Sequence, residues 1–337
     1  NVVAYALVAG GLGFLVLKRV RSDLPKSRVL TGIIGAIALI FTVLIPVGLI
    51  CNANDSVVAL QMRKDMDPEL VPLTQTIQDR MLPQATAETY VQSLNVASNT
   101  TVDSPHLQLT PKNELRWQSA VHQRDRLGRI FQSVSSVIVI DAGHTDQSGG
   151  EMPKSEFLYG DHSWLYRAEF AARHPFSTVA GVLYYQNADG TWSILTSYTS
   201  KKPSWSLPAI GTMIPYYAGV MEVNQTGWVR DYSPAQAAKK FAGAVLYPPE
   251  LFRAQCEAYA DWHGGWTGAS LLQNDALEVS EDKSEDAKLN PLPYVQHLEG
   301  LGLQLVLPFE PKGDKQWALV EILMADAGTG KLRRMQC

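Results

Sequence analysis

"TVAGVLYYQNADGTWSILTSYTS" runs from Thr178 to Ser200. Two runs rich in β-branched and aromatic residues flank "NADG", and the Asp189-Gly190 pair inside it is a hairpin signal. The segment predicts two antiparallel strands. Downstream, "YYAGVMEV" and "GWVRDY" flank "NQTG" and predict a second strand pair. "LQLVLPF" and "WALVEILMADA" predict closing strands, the second with partial helical character. Upstream, the β-branched run in "SSVIVIDAG" predicts a buried strand. The expected fold class is therefore α+β, mixed and mostly antiparallel.

Helices are expected between and before these strands. "MDPELVPLTQTIQDRML" and "ATAETYVQSL" read as short helices. Thr110 and Pro111 have the character of an N-cap and a first helical position. Leu115, Trp117, Val121, Leu127, Ile130 and Phe131 follow at partly helical spacing, which predicts a helix from Pro111 to about Gln132. "LYPPELFRAQCEAYADWH", Leu246 to His263, predicts another. Pro248 and Pro249 fit its start, and Glu250 suits the positive end of its dipole. Phe252, Cys256, Tyr259 and His263 share one face, expected to lie against strands, with Arg253 and Glu257 on the polar side. "EVSEDKSEDAK", from Glu278, reads as a solvated loop.

The first 51 residues differ from the rest. Asn1–Leu17 and Val29–Cys51 are uncharged apolar runs of 17 and 23 residues. The second is long enough to cross a hydrocarbon core of about 30 Å. The first reads as a span rather than a cleavable leader, because basic residues and not a small-residue cleavage site follow it. Small residues in "AGGLG" and "TGIIGAIA" would let two helices approach closely. The connecting loop, residues 18–28, holds Lys18, Arg19, Arg21, Lys26 and Arg28 against Asp23, which places it in the cytoplasm. The expected organisation is a transmembrane helical hairpin at 1–51, a juxtamembrane helical and linker region at 52–132, and an extracytoplasmic α+β domain at 133–337.

Charge and topology exclude several functions. Residues 1–51 carry +4, which leaves −8 on the remainder of a chain whose net charge is −4. An acidic domain has no electrostatic footprint for nucleic acid. A short cytoplasmic loop leaves no room there for a nucleotide site. The expected partners are other membrane-protein subunits and lipid, with no nucleic acid and no nucleotide.

Candidate sites are few. Cys256 and His263 are seven residues apart, about 10 Å along a helix, too far to share one zinc. Glu257 and Asp261 could hold a weak cation on another face. Asp141, His144 and Asp146 follow a strand with mixed spacing that can bind metal, although a polar turn looks the same. Asp161 and His162 stand beside Trp164 and Tyr166, where core packing competes with an aromatic binding surface. A disulfide from Cys256 to Cys337 is possible in an oxidising compartment. Asn54, Asn99 and Asn224 head glycosylation triplets. "GTGK", Gly328 to Lys331, lacks the full phosphate-loop pattern. On this reading no residue is assigned a catalytic, cofactor-binding or metal-binding role, and no cofactor is expected.

Four stretches occur in an order that resembles uncharacterised protein family 0182: "DGTWSILTSYTSKKPSWSLP", "LYPPELFRAQCEAYADWH", "LPYVQHLEG" and "LQLVLPFEPKG". The YP-x-x-LF-x-x-Q core of the second is the most specific, and the "W" and "GKL" after the last support it. The resemblance covers roughly Glu156 to Lys331. It implies a bacterial membrane protein with a large extracytoplasmic C-terminal region, and it brings no known activity or catalytic residues. The family has several more spans than the two here, and Asn52 to Gln132 have no counterpart in it. The expected function is a membrane-anchored accessory or structural subunit with a protein-interaction domain. Eight aromatics motivate it: Trp164, Tyr184, Tyr185, Trp192, Trp205, Tyr216, Tyr217 and Trp228, residue types enriched at interfaces. The alternative is a binding protein or enzyme acting on envelope glycans or peptides.

Overall fold

The computed structural model describes residues 55–66, 82–94, 99–110, 114–124, 134, 136–143, 157, 160–205, 213–263, 276–280, 292–312 and 319–336. The apolar runs before residue 52 and the "MDPELVPLTQTIQDRML" helix lie outside the described residues, as do Cys51 and Cys337. Among the described residues no helix is long and apolar enough to cross a membrane.

Among the described residues, three antiparallel sheets form the fold. The central one is a meander of β5 (Thr178–Gln186), β6 (Trp192–Pro203), β7 (Met213–Asn224) and β8 (Val229–Tyr232). Both expected hairpins are present. Asn187 closes the first turn with Gly190 at φ 83°, and Asn224 Oδ1 closes the second by accepting from the backbone N–H groups of Thr226 and Trp228. On β6 the alternating residues enter different cores, Ile194 one and Leu195 the other, and both are fully buried. A strand covered on both faces reads as a continuous apolar run rather than an alternation.

On one side of this sheet lie α4 (Pro234–Lys240), α5 (Pro249–Asp261) and the C-terminal sheet. That sheet runs β10 (Tyr294–Leu298), β11 (Gly302–Pro311), β12 (Glu321–Asp326), β13 (Leu332–Gln336), with β9 (Leu277–Val279) also pairing β11. The expected "EVSEDKSEDAK" loop thus begins inside a strand. Helix α5 fulfils its sequence pattern. Phe252 and Cys256 are fully buried and Tyr259 nearly so, packed with Leu305, Leu307 and Phe309. Burying such a side chain stabilises by about 1.5–3 kcal/mol. Arg253 and Glu257 form an exposed ion pair at 2.8 Å. Cys256 is a free thiol.

On the other side lie α3 (Trp164–Arg173) and the N-terminal sheet. Here β3 (Leu115–Gln123) pairs with β4 (Ser136–Asp141) along one edge, and with β1 (Thr100–Val102) and β2 (His106–Leu109) along the other. The pairing of β3 with β4 joins residues on either side of position 132. Two earlier helices are α1, residues 55–65, and α2 (Gln84–Leu94). Helix α2, expected from "ATAETYVQSL", covers the outer face of the N-terminal sheet.

Within the predicted helix from Pro111 to Gln132, the described stretch Leu115–Gln123 is a strand. Thr110 is a hairpin residue instead of an N-cap. Its N–H donates to Glu114 O at 2.8 Å and its hydroxyl accepts from Glu114 N at 3.2 Å. The Thr-Pro pair that favours a helix start also favours a turn. Leu115, Trp117 and Val121 enter the core under α2, while Ala120 enters the core shared with the central sheet. Burial on both faces removed the alternation that marks a strand.

Candidate metal centre

Asp103 sits where the chain breaks away from β3. Val102 is the last residue of β1 and His106 the first of β2, and Asp103-Ser104-Pro105 between them makes no ladder pair. The segment stays pinned to β3: Asp103 N–H donates to Ala120 O at 3.1 Å, and Ser119 Oγ donates to Asp103 O. His122, on the same face of β3 as Ala120, faces the central sheet.

Asp161 and His162 come from the turn that opens α3. Ser163 caps that helix by accepting from Tyr166 N at 3.1 Å, the N-cap preference that fixes where the helix starts. Tyr184 of β5 then holds Asp161, its hydroxyl donating to Asp161 Oδ1 at 2.8 Å. Burial and the Asp161 charge push the Tyr184 phenol well above its ordinary pKa, so it remains a donor.

These four side chains converge. One donor atom from each of Asp103, His122, Asp161 and His162 lies within 4.8 Å of every other. His122 Nε2 is 2.6 Å from Asp103 Oδ2 and 3.8 Å from Asp161 Oδ1. His162 Nε2 is 3.9 Å from Asp103 Oδ1 and from Asp161 Oδ2. The two imidazoles meet edge to face, ring centroids 4.7 Å apart. His122 and Asp161 are 5% and 9% exposed, whereas His162 and Asp103 are 32% and 35% exposed, so the cluster is closed below and open to water above.

Burial raises the Asp103 pKa, but the interactions with His122 and His162 outweigh it, and the carboxyl sits well below the usual carboxylate range. His106 stands near the same carboxylates. His106 is exposed.

Two imidazoles and two carboxylates form a borderline N₂O₂ donor set, suited to zinc and other divalent first-row metals. Four donors at about 2.0–2.2 Å from a tetrahedral ion are roughly 3.4 Å apart, so separations of up to 4.8 Å must close by as much as about 1.4 Å and the 2.6 Å His122–Asp103 contact must open, both by side-chain rotation. Two carboxylates balance a divalent charge. Tyr184 supplies the outer hydrogen bond that orients a carboxylate ligand.

Asp161 and His162 stand out in the sequence, without a metal role, whereas Asp103 and His122 do not. Both of the latter lie in segments read as linker and helix. Among the described residues, the other candidates from the sequence are not brought together. Asp141 ends β4 and accepts from Gly143 N at 2.8 Å, while His144 and Asp146 lie outside the described residues. His263 Nε2 is 3.6 Å from the buried Glu321, which also accepts from the Tyr259 hydroxyl. Glu257 pairs with Arg253, and Asp261 lies 3.5 Å from Lys312. Of the eight aromatics, Tyr184, Tyr185, Trp192 and Tyr217 are core residues, while Trp164, Trp205 and Trp228 are exposed and Tyr216 is 36% exposed. Comparison with protein families, with curated proteins and with solved structures finds no match.

Proposed function

We propose that this chain is a membrane-anchored, extracytoplasmic accessory subunit whose folded domain holds a divalent transition-metal ion, zinc in first place, between Asp103, His122, Asp161 and His162. The observation that carries the metal assignment is the convergence of these four donors from three separate parts of the chain. The uncharged runs Asn1–Leu17 and Val29–Cys51 and the basic loop between them support the anchoring. The metal's role is to bind and orient, in an interaction domain, rather than to drive a named reaction.

Purification from native membrane in mild detergent without chelator tests both parts. Elemental analysis is expected to give about one zinc per chain, absent from the His122→Ala/Asp161→Asn double variant, and the chain is expected to migrate within a larger assembly. Chelator-treated protein that takes up no zinc at micromolar concentration would remove the metal centre. Protease added to right-side-out vesicles should digest the domain after Asn52 and spare the 18–28 loop; the opposite pattern would reverse the orientation.

One feature favours the glycan-binding alternative. A groove of about 410 Å³ on the edge of the central sheet is lined by Asn224, Trp228, Arg230 and Lys240, with Trp228 64% exposed. A free monomer that co-purifies with a glycan, lost in Trp228→Ala, would favour it over the subunit reading.

A further inference from the structure

The β6–β7 ribbon runs on past the end of β5, whose pairing with β6 stops at Thr199. Ser200 to Pro203 pair with Tyr216 to Met213, and Trp205 follows two residues beyond the last pair. Trp205 is 79% exposed and Met213 51%. Lys201 and Lys202 are exposed beside them, with Lys202 Nζ 5.5 Å from the centre of the Tyr216 ring. Singly exposed apolar residues are ordinary. A Trp, a Met and a Tyr gathered with two lysines at the end of one ribbon have the composition of a membrane interface, where amphipathic rings sit at headgroup level and lysines meet anionic lipid.

The position of the ribbon selects its occupant. Ile214, next to Met213, is buried against Val57 and Val58 of α1 and Ala258 of α5. Val57 lies six residues after Cys51, the last residue of the longer apolar run. Six residues reach at most about 20 Å. A chain that leaves a bilayer at Cys51 therefore holds Val57 within about 20 Å of the surface from which it emerged, with the ribbon one side-chain contact farther through Ile214.

We propose that the end of the β6–β7 ribbon is a lipid-contacting foot, with Trp205 and Met213 in the headgroup layer and Lys201 and Lys202 against anionic lipid. This rests on the reading of Val29–Cys51 as a membrane span, and it is independent of the metal centre. The foot gives the domain a second contact with the bilayer besides its tether.

The first 51 residues contain no Trp, so indole fluorescence of the full chain in nanodiscs reports only on residues beyond the spans. In discs of phosphatidylglycerol brominated high on its acyl chains, quenching is expected in the wild type and in Trp228→Phe. It should be lost in Trp205→Phe, whose melting temperature should be unchanged because the residue is exposed. Quenching should fall in brominated phosphatidylcholine discs and in Lys201→Gln/Lys202→Gln. Incorporation into discs with no quenching, or with equal quenching in wild type and Trp205→Phe, overturns the foot while leaving the span intact. Equal quenching in both lipids overturns the anionic-lipid assignment. A chain that fails to enter discs overturns the span and the foot together.

Discussion

Tyr184 is the residue through which the core reaches the proposed metal centre. Its ring packs with Phe157 at 5.6 Å and its hydroxyl holds Asp161. Tyr184→Phe keeps the packing and removes the hydrogen bond. The expected result is a loss of zinc affinity of about 10–100-fold, the usual effect of losing a ligand's outer partner, read by competition with a chromophoric chelator. Far from the centre, Phe252→Ala is expected to destabilise by roughly 3–5 kcal/mol in urea denaturation, because a fully buried aromatic leaves a cavity. His263→Ala should cost less, since His263 is 30% exposed. At this scale the sequence was informative where a periodic pattern reported on one helix face, as for Phe252, Cys256 and Tyr259. It was silent where four residues distant in the chain had to meet, because no local spacing encodes the contact of Asp103 with His122.

At the scale of elements, legibility followed exposure. Hairpins with Asp-Gly or Asn-x-x-Gly turns could be read because the turn chemistry is local. Strand β3 could not, because it lies between two cores and carries Arg116, Gln118 and Gln123 where a strand pattern would place β-branched residues. Its partner β2 is fixed partly by Gly243, whose carbonyl accepts from Leu109 N at 2.8 Å. Gly243 has φ +83°, and a Cβ there would lie 2.0 Å from Leu109 O. Gly243→Ala is therefore expected to cost more than about 1 kcal/mol, through both the left-handed backbone and the clash, and the loss should appear in the denaturation midpoint. Gly190 has a similar φ but no atom within 4 Å of an added Cβ, so Gly190→Ala should cost less.

For the whole molecule, the proposed centre joins two layers. Asp103 and His122 belong to the N-terminal sheet, whereas Asp161 and His162 are held by α3 and the central sheet. An ion there would cross-link them. At a hundredfold excess of free zinc over Kd, binding to the native state alone stabilises by about 2.7 kcal/mol. For a domain of this size that is a rise in melting temperature of roughly 5–10 °C, absent in His122→Ala/Asp161→Asn. Scanning calorimetry with zinc and with EDTA measures it. An unchanged transition at saturating zinc would show that the four donors do not hold an ion.

Cys256 gives this protein an internal clock for opening. The thiol is fully covered, and burial with the charges of Glu257 and Glu321 pushes its pKa well above the ordinary value. Only an uncovered thiolate attacks a disulfide reagent. With Cys51 and Cys337 replaced by serine, modification of the remaining thiol would time the lifting of α5 from the strands beneath it. Its core is made by the central and C-terminal sheets and includes none of the four donors. The modification rate in native buffer should therefore be the same with and without zinc, and rise steeply in Phe252→Ala. Slowing by zinc would instead show that the layers on both sides of the central sheet open as one.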